Sequence, residues 1–226
     1  MKSNALISAR NAVVKKKAAG ELDEALAFIE ETKAIFPKNT DLAIEGVNIA
    51  LEQGDLEKAE GYFNTAAEAT PDNIALFTSM GSIFLGYADR LSEELKSIDV
   101  TDPSYGEKAE EAEKMYDKAE KNLIRAREID PKDPDAAYNL GVLYLGRADK
   151  IALRAGNMSF DDPRYDTAVK ESEEMYKKAI EPLEVYIDQD PENAGVLQVL
   201  FQVHRKAGNT DKALEYKKRV DAASGK

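Results

Sequence analysis

The sequence predicts an all-α fold, a right-handed α-solenoid of five helical pairs in which the third and fourth pairs are elongated. Three observations predict it. The composition is 43% hydrophobic and 33% charged, and it is rich in Ala, Glu, Lys and Leu, which favour helix. Similar blocks recur every 34 residues, and a longer unit of 60 residues occurs twice in the middle of the chain.

Net charge and residue usage exclude several classes of partner. The formal charge is −12, whereas proteins that bind nucleic acid or anionic lipid need a basic surface. The longest run without a charge, Ile74–Ala88, is too short to span a bilayer. Cysteine is absent, which excludes disulfides and thiolate chemistry. We therefore expect no nucleic acid partner and no membrane insertion, and the acidic charge favours a basic or apolar partner.

The 34-residue repeat is clearest in the first third of the chain. The block that begins at Gly20, GELDEALAFIEETKAIFPKN, matches the block that begins at Gly54, GDLEKAEGYFNTAAEATPDN. The opening glycine suits a tight turn between two helices. Ala25 and Ala59 suit a close crossing of those helices, and a proline follows where the second helix should have ended.

This pattern resembles the tetratricopeptide repeat (TPR) family, with resemblance over about residues 6–224. The family signature places a large residue, Leu, Gly and Tyr in the first helix (helix A), and Ala, Phe, Ala and Pro in and after the second (helix B). The matching residues are Phe77, Gly81 and Phe84; Leu140, Gly141 and Tyr144; Ala59, Phe63, Ala66 and Pro71; and Ala119, Leu123, Ala126 and Pro131. The chain is thus expected to be one domain, 1–226, with repeats at about 6–39, 40–73, 74–133, 134–193 and 194–226.

Repeats 3 and 4 are longer than the others. The signature Gly and Ala positions lie 12 residues apart in repeats 1, 2 and 5, but 38 apart in repeats 3 and 4. The extra residues keep helical spacing, so the insertions, about 87–113 and 147–173, should lengthen both helices into a projecting arm. Exposed apolar residues there would favour self-association; the candidates are Leu91, Leu95, Ile98, Met158 and Phe160.

Asp-Pro-x-Tyr occurs once in each insertion, at 102–105 and 162–165. Asp102 and Asp162 are predicted helix N-caps, each followed by a proline at the first helical position. The cluster of Asp161, Asp162 and Asp166 lacks the spacing of an EF-hand loop, so no metal site is predicted.

No motif predicts catalysis or a cofactor. His204 is the only histidine, and no Ser or paired carboxylate stands at a matching spacing, so a packing role is expected. The segment Gly141–Gly146 lies inside a predicted helix and is not followed by Gly-Lys-Ser/Thr, which excludes a phosphate loop.

The resemblance also implies a concave groove lined by helix A residues, where family members bind peptides. Carried over by position, the candidate groove residues are Ile44, Asn48, Leu51, Thr78, Ser82, Leu85, Tyr138, Val142, Leu145, Gln198, Gln202 and Arg205. Ile44 and Glu45 stand where a carboxylate clamp would need Lys or Asn, so that clamp is not predicted.

The sequence therefore predicts a non-catalytic protein-interaction scaffold that uses the groove, the arms or both. The alternative is an assembly subunit that forms a homo-oligomer through the arms. The chain is also similar, more loosely, to the C-terminal part of exported TPR proteins of Gram-negative bacteria, on the segments Arg164–Asp166 and Tyr176–Ile180. That likeness implies an upstream export signal and a periplasmic location; without such a signal the location would be cytoplasmic.

Overall fold

The computed structural model describes residues 2–37, 39–99, 101–223 and 225, with side chains from residue 5 onward. These residues form ten α-helices and no strand. The helices are α1 Lys2–Ala18, α2 Leu22–Ile35, α3 Thr40–Glu52, α4 Leu56–Ala69, α5 Ile74–Leu95, α6 Pro103–Ile129, α7 Pro134–Gly156, α8 Tyr165–Gln189, α9 Ala194–Lys206 and α10 Thr210–Ala223. Each repeat proposed from the sequence contains one pair of helices. Positions 1, 38, 100, 224 and 226 of the predicted domain lie outside the described residues.

The chain divides into two compact units, one up to Met115 and one from Tyr116 onward. Each unit has its own core. In the first, Phe63 makes edge-to-face contacts with Phe77 and Phe84, with ring centroids 6.0 and 6.4 Å apart. In the second, Leu143 and Leu183 are fully buried between α7 and α8. Aromatic and branched apolar residues fill both cores, which supplies most of the driving force for packing the helical pairs.

The alanine of the repeat signature marks the close crossings that the sequence predicted. Its side chain is almost completely buried in every pair. The residues concerned are Ala25, Ala59, Ala119, Ala179 and Ala213. A methyl group is the largest side chain that allows two helix backbones to approach so closely.

Two recurring polar features end and restart the helices. The glycine between the paired helices has a positive φ at Gly20, Gly54 and Gly208, of 76° to 78°, which confirms the predicted tight turns. The Asn or Asp that ends each Pro-x-Asn or Pro-x-Asp stretch is the N-cap of the next helix A. Its side-chain oxygen accepts a hydrogen bond from the backbone N–H three residues later, as in Asn39 to Leu42 (2.9 Å) and Asn193 to Val196 (3.1 Å).

The helices of repeats 3 and 4 are elongated. Helices α5 to α8 contain 22, 27, 23 and 25 residues, whereas the other helices contain 13 to 17. Added residues pair within each unit: Lys108 of α6 lies 2.5 Å from Glu94 of α5, and Arg154 of α7 lies 3.2 Å from Glu171 of α8. The insertions are therefore helical hairpins, here named the α5–α6 hairpin (residues 87–113) and the α7–α8 hairpin (residues 147–173). That they project as one arm stays a prediction.

The two Asp-Pro segments make the same turn but start their helices differently. Asp102 accepts a hydrogen bond from the backbone of Ser104 (2.8 Å), and α6 begins at Pro103, as predicted. Asp162 accepts the equivalent bond from Arg164 (2.9 Å), but α8 begins only at Tyr165. The prediction of Asp162 as the N-cap is therefore wrong by two residues. The turn at 161–164 is held by the Asp162 carboxylate, which also binds the Arg164 guanidinium at 2.7 Å.

Candidate functional site

The helix A face of the first unit carries half of the residues predicted to line a groove. Ile44, Asn48 and Thr78 are half-buried, and Ser82 is exposed. Leu51 and Leu85 are buried, at 5% and 7% exposure. They therefore pack beneath this face and contribute little surface that a ligand could contact. The accessible part of the face is therefore short and mainly polar.

The helix A face of the second unit is more aromatic and more basic. On α9, Gln198 and Arg205 are exposed and Gln202 is half-buried, on the side opposite the fully buried Leu200. On α7, Val142 and Leu145 are half-buried. Tyr138 of α7 remains 39% exposed although its ring lies 4.9 Å from the ring of Tyr186 on α8. This face exposes amide, guanidinium and phenol groups to solvent.

A second candidate surface lies at the end of the α7–α8 hairpin. Phe160 is 87% exposed and Leu153 is 68% exposed. The ring of Phe160 rests edge-on against Tyr165, with centroids 5.2 Å apart. Sequence reasoning named Phe160 but missed Leu153. It was wrong about Leu91, which is buried at 5% exposure in the α5–α6 hairpin. Leu95, Ile98 and Met158 are half-buried.

An open cavity of about 310 Å³ lies in the α7–α8 hairpin, with Met158 in its wall. Its lining combines two arginines with short and apolar side chains: Arg154, Met158, Pro163, Arg164, Thr167, Ala168 and Glu171. The residue 60 positions before Ala168 is Lys108, whose ammonium group pairs with Glu94 in the other hairpin. A methyl group in place of that long side chain leaves space at the corresponding point of the α7–α8 hairpin.

Buried tyrosines hold the base of the α7–α8 hairpin. The hydroxyl of Tyr144 donates to Glu120 (2.9 Å), and that carboxylate also accepts from Arg147 at 2.7 Å. The hydroxyl of Tyr176 donates to Asp149 (2.6 Å), which also pairs with Lys206. Burial raises the pKa of both phenols, so they stay neutral donors at physiological pH. Each of these groups therefore has a hydrogen-bond or ionic partner within the protein.

His204 lies in the second core, where the sequence placed it. It is 3% exposed, and its ring stacks on Tyr216 at 5.2 Å. Nδ1 lies 3.3 Å from the side-chain amide of Asn209, and Nε2 lies 3.5 Å from Glu184. Burial lowers the pKa of the imidazole, although the Glu184 carboxylate opposes that shift.

The acidic residues of the α7–α8 hairpin have partners of their own. Asp161 accepts a hydrogen bond from the hydroxyl of Ser159, and Asp162 holds Arg164. Within the described residues, no group of three or more His, Asp or Glu side chains is arranged to hold a metal ion. The same part of the chain contains no helix that is long and apolar enough to cross a membrane.

Comparison with known proteins supports the class that the repeats indicate. Residues 17–83 match the family model described as tetratricopeptide repeat. No curated protein matches the sequence. Among solved structures, "Crystal structure of MamA protein" aligns with 100% of this chain and 94% of its own, at 16% identity and a TM-score of 0.58. "MamA RS-1 ArsTM double mutant" aligns with 96% of this chain and 92% of its own, at 18% identity and a TM-score of 0.56.

A further structure, "Crystal structure of YrrB: a TPR protein with an unusual peptide-binding site", aligns with 95% of this chain and 84% of its own, at 16% identity and a TM-score of 0.54. At such identities these likenesses establish the fold. The match to the family model shows tetratricopeptide repeats within residues 17–83. Proteins of this class are in general protein-interaction scaffolds.

Proposed function

We propose that this chain is a non-catalytic scaffold that binds a peptide or protein segment on the helix A faces of its repeats. The observation that carries the proposal is the side of α9 that bears Gln198, Gln202 and Arg205. These side chains follow one helical stripe, and they reach solvent while the opposite stripe is buried. Amide groups can donate to and accept from a peptide backbone, and a guanidinium can bind a carboxylate.

The first unit contributes a smaller face to the same function. Asn48 and Ser82 present an amide and a hydroxyl at the corresponding positions of α3 and α5. Buried Leu51 and Leu85 fix the helices beneath them. A fixed polar face loses little conformational entropy when a ligand binds, which favours affinity. YrrB, another protein of this fold, has an unusual peptide-binding site, which is compatible with a peptide-binding role here.

Selection from a displayed random peptide library on the intact chain would test this function. A selected peptide, synthesised with a fluorescent label, would then be titrated against variants by anisotropy. Gln198→Ala with Gln202→Ala should weaken binding about ten-fold or more, because two buried hydrogen bonds to the ligand are lost. Asn48→Ala with Ser82→Arg tests the first unit in the same way. The control is Lys217→Glu with Lys218→Glu, two exposed residues of α10 outside both faces.

The proposal fails if no peptide is enriched, or if the face variants and the α10 control bind equally well. Circular dichroism of every variant would show that the helical fold is retained. Equal binding by all variants would place the ligand elsewhere on the surface.

A second candidate function is self-assembly through the hairpins, and the exposure of Phe160 and Leu153 favours it. Two large exposed apolar side chains are costly to leave in water, and such residues commonly mark association sites. Sedimentation velocity over a range of protein concentrations would test it. Species larger than a monomer should grow with concentration, and Leu153→Ser with Phe160→Ser should reduce them.

A further inference from the structure

The two hairpins are copies of one 60-residue unit, yet they differ in charge. The α5–α6 hairpin contains nine acidic and three basic residues, whereas the α7–α8 hairpin contains six acidic and five basic residues. Because both are helical hairpins of the same length, their sequence differences show how the two surfaces have diverged. The changes are concentrated near the ends of the hairpins, away from the buried tyrosines.

Individual positions show the divergence directly. Glu93, Glu94, Ser104 and Glu110 correspond, 60 residues later, to Leu153, Arg154, Arg164 and Lys170. Acidic or small polar groups in one hairpin are therefore basic or apolar groups in the other. We name the second set, with Phe160, the tip face (Leu153, Arg154, Phe160, Arg164 and Lys170).

The charges on both surfaces reach solvent. The side chains of Arg154 and Arg164 are 60% and 75% exposed. On the other hairpin, Glu93 and Glu110 are 69% and 70% exposed. Glu93, Glu110 and Arg154 each pair with an exposed partner, whereas Arg164 binds the partly buried Asp162. Exposed pairs of this kind contribute little and exchange readily for an intermolecular partner.

We propose that the tip face docks on the acidic α5–α6 hairpin of a second copy of this chain. The tip face supplies two apolar side chains and three cations. The chain as a whole has a net charge of −12, so two copies repel each other unless a basic surface of one meets an acidic surface of the other. The acidic hairpin provides the complementary charge, and burial of Phe160 and Leu153 provides the apolar gain. This inference deepens the assembly function proposed above and is independent of peptide binding on the helix A faces.

Charge reversal of each surface tests the pairing. The tip-reversed variant carries Arg154→Glu and Arg164→Glu, and the hairpin-reversed variant carries Glu93→Lys and Glu110→Lys. Each alone should associate about ten-fold or more weakly than the wild type, because attraction becomes repulsion. Mixing the two variants should restore association, since every acidic tip then meets a basic hairpin. Sedimentation velocity on the full chain, before and after mixing, measures both effects.

Matched controls remove the effect of net charge alone. Lys217→Glu with Lys218→Glu makes the same charge change as tip reversal, and Glu57→Lys with Glu68→Lys makes the same change as hairpin reversal; all four residues are exposed. Both controls should associate like the wild type. Raising the salt from about 0.1 M to about 1 M shortens the Debye length from about 10 to about 3 Å and should weaken wild-type association.

Each outcome decides the proposal. A wild-type chain that stays monomeric overturns both the docking and the assembly function, while peptide selection would still test the helix A faces. Association that ignores both charge reversals overturns the docking but retains assembly by another surface. Loss of association in both reversed variants without recovery on mixing shows that the two surfaces do not meet, and it overturns the docking as well.

Discussion

Gly141 of α7 and Leu183 of α8 are in contact where the two helices pack against each other. A Cβ atom built on Gly141 would lie 2.6 Å from Cγ of Leu183 and 3.4 Å from its backbone nitrogen. Gly141 belongs to the repeat signature, and this contact gives the physical reason for it. The glycine is needed because the neighbouring helix leaves no room for a methyl group, and not because of an unusual backbone angle.

Gly141→Ala should destabilise the protein by about 1–3 kcal/mol, because the methyl group forces Leu183 or the helix backbone to move. Gly146→Ala in the same helix is the matched control. A Cβ there meets nothing within 4 Å, so the change should stabilise the helix by about 0.5–1 kcal/mol. Urea unfolding followed by circular dichroism measures both. Equal effects of the two substitutions would show that the crossing is looser than described.

Gly54 gives a different test, because its φ of +76° and not its space demands glycine. Gly54→Ala should cost about 1 kcal/mol, the strain of placing a side chain in the left-handed region. Gly61→Ala, within α4, meets nothing within 4 Å and should be neutral or stabilising. A thermal midpoint that falls only for Gly54→Ala supports the turn; a fall for both would contradict it.

Arg147 should matter more for stability than an exposed charged residue of the second unit. Its side chain is only 12% exposed, it binds Glu120 at 2.7 Å, and its guanidinium lies 5.6 Å from the centre of the Tyr116 ring. Arg147→Met should cost about 1–3 kcal/mol, because Glu120 would lose a charged donor in a partly buried site. Lys177→Met, which removes an exposed ion pair with Glu174, should leave the urea midpoint unchanged. Similar losses for both variants would refute the special role of Arg147.

His204 should make stability depend on pH. Its pKa in the folded protein is lowered, first by burial, from an unfolded value of about 6.5. The unfolded chain therefore takes up a proton more readily, and stability is full above about pH 6.5 and falls as the pH drops toward the folded pKa. The ionisable groups near the ring are Glu184 of α8 and Lys212, Glu215 and Tyr216 of α10.

Urea unfolding at pH 7.5 and pH 5 would measure this dependence. The wild type should lose more stability on acidification than His204→Gln, which has no titrating ring. The comparison of slopes is independent of the packing cost of the substitution. Equal losses of stability in the two proteins would mean that a group other than His204 causes the destabilisation at low pH.

Much of the fold followed from local patterns. The 34-residue period, the turn glycines at Gly20 and Gly54 and the alanines at Ala25 and Ala59 each report a requirement that the chain must meet within one repeat. Such requirements concern backbone angles, steric room and helix ends, and a few neighbouring residues in the sequence are enough to indicate them. The helical character of the insertions followed for the same reason, because the apolar spacing continued through them.

The end of the α7–α8 hairpin was less predictable. Leu91 and Leu153 both belong to inserted helical segments and both are leucines, yet one is buried and the other is 68% exposed. Helical spacing shows which side of a helix is apolar, but it does not show where the neighbouring helix ends. The cavity beside Arg154 could not be predicted from the sequence for the same reason.

The sequence alone therefore determined the helical pairs, their turns and their lengths, because these depend on interactions between residues close along the chain. The tertiary structure decided which members of an apolar stripe are covered, why Gly141 admits no side chain, and which charges of the two hairpins reach solvent. Those properties depend on side chains brought together from distant parts of the chain, such as Leu183 against Gly141, 42 positions away. Exposure is a property of the packed molecule, and only the packed molecule shows it.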